Sequence, residues 1–82
     1  MGMDMNQKEL RIKVYKIKRQ VRDTIGTNLS HRFRSTQVYQ AYCGLCGEAQ
    51  MAYEDGELDG QIVTLLEESA HKVIAFWQSD ST

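Results

Sequence analysis

Proline is absent from this 82-residue chain, where average usage would place about four. That absence removes ring-based helix breaks and cis-proline turns. Cysteine is scarce: Cys43 and Cys46 stand three apart, with no second pair to bond. A disulfide framework is therefore excluded, and the usage suits a reducing compartment, so a cytoplasmic location is expected. No stretch approaches 18 apolar residues, so neither a membrane span nor a membrane partner is expected. The start also lacks the basic-then-apolar pattern of a secretory signal. Met1-Gly2 invites N-myristoylation, but Asn6 stands where that signal wants Ser or Thr.

What is present fits one small globular domain spanning residues 1–82. Hydrophobic residues make up 41% and charged residues 26%, which argues against disorder. A chain this short buries only about 60–65% of its unfolded surface, so one core is the ceiling. There is no internal repeat and no low-complexity segment. The net charge of −1 hides a steep asymmetry. Residues 1–34 carry nine of the ten basic side chains against Asp4, Glu9 and Asp23, a balance of +6. Residues 35–82 carry Lys72 alone against eight acids, a balance of −7. Such halves pair with each other, within a chain or across a dimer, or one of them meets a charged partner.

Apolar spacing predicts three helices. Leu10, Val14, Ile17, Val21 and Ile25 recur every three or four residues, one stripe of a helix over about 6–25. Asn6 is its candidate cap, with Glu9 three residues on, and Gly26 its stop. Residues 26–35 are expected to form a loop anchored by Leu29 and Phe33. Ser35 or Thr36 then caps a helix over about 36–54, with Val38, Tyr42, Leu45, Ala49 and Ala52 inward. Gly44 and Gly47 weaken it by about 1 kcal/mol each relative to Ala. Asp59 caps a third helix, about 59–78, whose inward stripe is Ile62, Leu65, Leu66, Ser69, Val73, Phe76 and Trp77. Ser79 to Thr82 should fray. The fold class is all-α: a helical hairpin or three-helix bundle, its burial completed by self-association into a homodimer or higher homo-oligomer.

Three chemistries compete for Cys43-Gly44-Leu45-Cys46-Gly47. Tyr42-Cys43-Gly44-Leu45-Cys46 resembles the thioredoxin and glutaredoxin active-site segment, which implies a strand leading into a helix that activates the first thiol. The chain has no proline to face the pair, and only 36 residues follow Cys46, too few for the rest of that fold. A zinc knuckle needs four ligands. The remaining sources are His31, His71 or the same cysteines of a second copy, which would make a zinc-bridged dimer. The third reading is packing: Tyr39, Cys43, Cys46 and Gln50 share one helical stripe, where small side chains let a neighbouring helix approach. Packing is the favoured reading, and no cofactor is expected.

Asp55-x-Glu57-x-Asp59-Gly60-x-Ile62 resembles the first eight positions of an EF-hand calcium loop. The twelfth position, which that loop fills with a bidentate Glu, is Leu66, and Glu67 comes one residue late. A solvated turn with a helix cap is the better expectation.

The first helix has a second stripe. Lys8, Ile12, Tyr15, Arg19 and Arg22 recur opposite the apolar seam, with Arg11 and Lys18 beside them. A purely solvated face has no need of Ile and Tyr in its middle. Aromatic plus arginine is the composition of a protein hot spot and of a phosphate or nucleic-acid site; the bland alternative is an ordinary helix with basic side chains lying along it. No helix-turn-helix, zinc-finger or RNA-binding signature accompanies it. No catalytic constellation is visible. The expectation is a non-enzymatic protein-interaction or regulatory module. Lys8, Arg11, Ile12, Tyr15, Arg19 and Arg22 would meet a partner with an acidic surface. Nucleic acid or an anionic ligand on the same face is the alternative, and a zinc bridge through Cys43 and Cys46 is the third.

Overall fold

In a computed structural model the described residues are 6–80. The Met1-Gly2 start weighed for lipidation, and Ser81 and Thr82, which were expected to fray, lie outside them. Four helices follow one another: α1 (Gln7–Ile25), α2 (His31–Arg34), α3 (Gln37–Glu54) and α4 (Gly60–Asp80). No strand occurs among the described residues. The all-α expectation holds within a single chain.

The punctuation of α1 follows the sequence. The Asn6 side-chain oxygen accepts the Glu9 N–H at 2.9 Å, satisfying one orphan donor of the first turn. At the far end Gly26 takes φ +78° and donates its N–H to the Arg22 carbonyl at 2.8 Å. That backbone region favours glycine, so the helix stops there. All five seam residues, Leu10, Val14, Ile17, Val21 and Ile25, are buried.

The segment 26–35 departs from the expected loop, because its second half is the single turn α2. The Ser30 hydroxyl accepts the Phe33 N–H at 3.1 Å, a cap signal in Ser30 that the loop assignment passed over. The turn drives Phe33 inward, where its ring meets Tyr39, Phe76 and Trp77 at centroid distances of 5.5, 5.8 and 5.1 Å. The Trp77 contact is edge-to-face at 87°; such pairs contribute about 0.5–1.5 kcal/mol beyond area burial. Phe33 closes one end of the bundle.

Thr36 caps α3 by accepting the Tyr39 N–H at 3.3 Å, while its hydroxyl donates to the Phe33 carbonyl at 2.7 Å. Gly56, at φ +73°, ends the turn after α3, and Asp59 caps α4 by accepting the Ile62 N–H at 2.9 Å. α4 runs on to Asp80, past Ser79, where fraying was expected. Neither glycine nor proline occurs after Gly60 to stop it. At this end Gln7 grips the turn, donating to the Leu58 carbonyl at 2.6 Å and accepting the Leu58 N–H at 3.1 Å. α1 and α4 therefore run parallel and α3 antiparallel, in a body of 47 × 19 × 17 Å.

α4 packs along both α1 and α3, which touch each other over a much smaller area. Its buried residues are Val63, Leu66, Ser69, Ala70 and Val73. This corrects the predicted stripe. Leu65 and Phe76 are 45% and 39% exposed, Ile62 and Trp77 are half-buried, and Val63 and Ala70 are buried instead. A helix wedged between two neighbours needs a wider inward arc than one seam, and that arc is centred on Leu66 and Val73. Both are fully buried, each contributing about 1.5–3 kcal/mol. Among the described residues no buried side-chain polar atom lacks a hydrogen-bond partner. No helix of the described chain is long and apolar enough to cross a membrane.

Candidate functional site

Because α1 turns one stripe to the core, its opposite stripe must face out. Ile12 is 44% and Tyr15 60% exposed, with exposed Lys8 and Arg19 on the same side. The Tyr15 hydroxyl accepts a hydrogen bond from Arg19 Nη1 at 3.3 Å, and Arg19 Nε lies 3.8 Å from Asp23 Oδ2. The hydrogen bond to Tyr15 and then the charge of Asp23 push Arg19 above its ordinary value, so it stays cationic. Ion pairs this exposed add little stability; their effect is to orient the guanidinium beside the ring. Shallow hollows flank Tyr15, one formed with Arg11 and Ile12, the other with Lys16, Arg19, Gln20, Asp23 and Thr24.

The six predicted residues are not all placed alike. Lys8, Ile12, Tyr15 and Arg19 point outward together. Arg11 leans to α3, its guanidinium carbon 4.9 Å from the centroid of the Tyr53 ring, a cation–π contact. Arg22 lines a cleft between α1 and α3 together with Lys18 and Arg34. Asp23, the partner of Arg19, was missed by the sequence reading, although its i, i+4 spacing is the usual signal.

The cysteine pair lies in mid-helix. α3 begins at Gln37, nearly two turns before Cys43, so no helix N-terminus activates the first thiol, and among the described residues no strand precedes it, unlike the thioredoxin-type arrangement. Burial pushes the Cys46 thiol up, against smaller opposing effects of Tyr42 and Lys18, the reverse of an activated nucleophile. The Tyr39 and Tyr42 phenols are likewise pushed up, mainly by burial, and stay protonated. The packing stripe is only half realised. Tyr39 and Cys46 pack against the core, whereas Cys43 is exposed and Gln50 faces solvent, donating to Glu54 at 3.0 Å. The reason is that α3 meets α1 only narrowly. His31 on α2 and His71 on α4 are exposed. Among the described residues no group of three or more His, Cys, Asp and Glu side chains is arranged to hold a metal ion. In the acidic turn, Asp59 is occupied in capping α4.

Family models, curated proteins and solved structures were all compared with the chain, and none matches.

Proposed function

We propose that this is a non-enzymatic interaction module of the cytoplasm that presents Lys8, Ile12, Tyr15 and Arg19 to a protein partner with an acidic surface, with Arg11 and Arg22 at its margin. One observation carries the reading: among the described residues nothing covers Ile12 and Tyr15, in the middle of a cationic helix face. Exposed apolar groups ringed by positive charge suit a partner that supplies both an apolar contact and carboxylates. The free thiols Cys43 and Cys46 accord with a reducing compartment.

The double change Tyr15→Ala with Arg19→Glu should abolish capture of a protein partner from host extract, with helicity and stability unchanged to within about 0.5 kcal/mol. Equal capture by wild type and variant would move the functional surface elsewhere. Retention on DNA or heparin that falls steeply with salt and is lost in the variant would replace the protein partner by a nucleic acid.

Self-association belongs to the same proposal. Met51, Leu65 and Phe76 are large exposed apolar side chains on α3 and α4, away from the α1 ridge, and a second copy would cover them in a homodimer or higher oligomer. Sedimentation equilibrium showing a monomer at high micromolar concentration would remove this part. Assembly lost on Cys43→Ser and Cys46→Ser, but kept on Leu65→Ser, would point to a zinc bridge instead.

A further inference from the structure

The cleft between the C-terminal half of α1, the α2 turn and the start of α3 is chemically unlike the Tyr15 ridge. It encloses about 290 Å³ and is lined by Lys18, Arg22 and Arg34 among apolar and aromatic groups. The buried side chains of Val21, Ile25 and Leu29 supply its apolar lining. Tyr39 and Tyr42 form the α3 wall, and both phenols are held protonated, mainly by burial, beside Cys43 and Cys46. No carboxylate lines the cleft. Among the described residues, none of the three cations forms an ion pair.

Three unpaired cations brought together from two helices repel one another. An anion removes that repulsion. An inorganic anion, however, would leave the aliphatic and aromatic wall of the cleft without an apolar partner. The volume corresponds to about ten liquid waters at about 30 Å³ each, enough for one or two fused rings. We propose that this cleft binds a small organic anion, with a flat apolar body against Val21, Ile25, Leu29 and the tyrosines, and a phosphate or carboxylate held by Lys18, Arg22 and Arg34. The site shares only Arg22 with the margin of the ridge, and Ile12 and Tyr15 lie outside it, so either can fail without the other.

The test is titration of the full chain with 1-naphthyl phosphate, followed by backbone amide chemical shifts, beside titrations with 1-naphthol and with inorganic phosphate. Saturable binding of 1-naphthyl phosphate is expected, with shifts at Val21, Ile25, Leu29 and Tyr39. Each half-ligand should bind at least about tenfold more weakly. Arg34→Gln and Lys18→Gln should each weaken binding about tenfold, Arg34→Lys should largely retain it, and Ile12→Ser on the ridge should leave it unchanged. Circular dichroism confirms that each variant is folded; Lys18→Gln and Arg34→Gln alter side chains exposed at the surface, so either one alone suffices. The proposal is overturned if 1-naphthyl phosphate does not saturate, if inorganic phosphate binds as tightly, if a folded Gln variant binds like wild type, or if the shifts gather at Leu65 and Phe76.

Discussion

α1 and α4 are both amphipathic, yet they divide their surfaces differently. In α1 the apolar seam is a single narrow stripe, and nearly everything outside it is charged or polar. Ile12 and Tyr15 therefore stand out as exceptions. In α4 apolar residues occupy two adjoining stripes, because one side meets α1 and the other meets α3. Leu65 lies next to fully buried Leu66 and is still 45% exposed. An exposed apolar side chain thus stands isolated among charges on the flanking helix, whereas on the central helix it sits at the edge of a broad buried arc.

The sharpest way to break this contrast is to truncate neighbours on α4. Leu66→Ala should cost about 2–5 kcal/mol, a large part of the total stability of a domain this small. Leu65→Ala should cost less than about 1 kcal/mol in the monomer. Urea denaturation of the two variants measures the difference, and similar losses would mean that the buried arc is placed wrongly.

The next effect is one of pH, at the α3 wall. Tyr42 and Cys46 both have their deprotonation disfavoured by burial in the folded chain. Stability is therefore fully present below their unfolded values, about 8.5 for Cys and 10 for Tyr, and is lost as pH rises beyond them. Melting temperature should be level near neutrality and fall in two stages above those values. Cys46→Ala should remove the first stage, and Tyr42→Phe should shrink the second, to which Tyr39 also contributes. A melting curve indifferent to both changes would put the two side chains in water.

Smaller effects sit at helix ends and interiors. Asn6→Ala should destabilise by about 1 kcal/mol through loss of the α1 cap. Gly44→Ala and Gly47→Ala should each stabilise by about 1 kcal/mol, since a Cβ at either position meets nothing within 4 Å. If alanine at Gly44 or Gly47 instead disrupts a dimer while raising monomer stability, those glycines serve close approach by a second copy.

Most of the fold was legible because α1 and α3 use local signals. Asn6, Gly26, Thr36 and Asp59 act at the helix ends where their chemistry placed them. The α1 seam was legible because charge surrounds it on every other side. α2 was missed because one helical turn has no periodicity to detect, and Ser30 was its sole mark. Val63 and Ala70 were passed over because a 3.6-residue period gives the centre of an apolar arc only when one neighbour is present. At the candidate site, the outward Tyr15 ridge could be inferred from composition. The cleft of Lys18, Arg22 and Arg34 could not, since it depends on how α2 carries Arg34 back toward α1.

The side-chain clasp between Gln7 and Leu58 has a geometric corollary. With an odd number of long helices, Asn6 sits at the pole held by that clasp, while Asp80 emerges at the opposite pole, beyond Trp77 and the Phe33 plug. The body between them is 47 Å in its long dimension and less than 20 Å across. The Asn6 and Asp80 ends of the described chain accordingly face away from each other, so that two partners held at these ends would be spaced by the length of the bundle rather than set side by side.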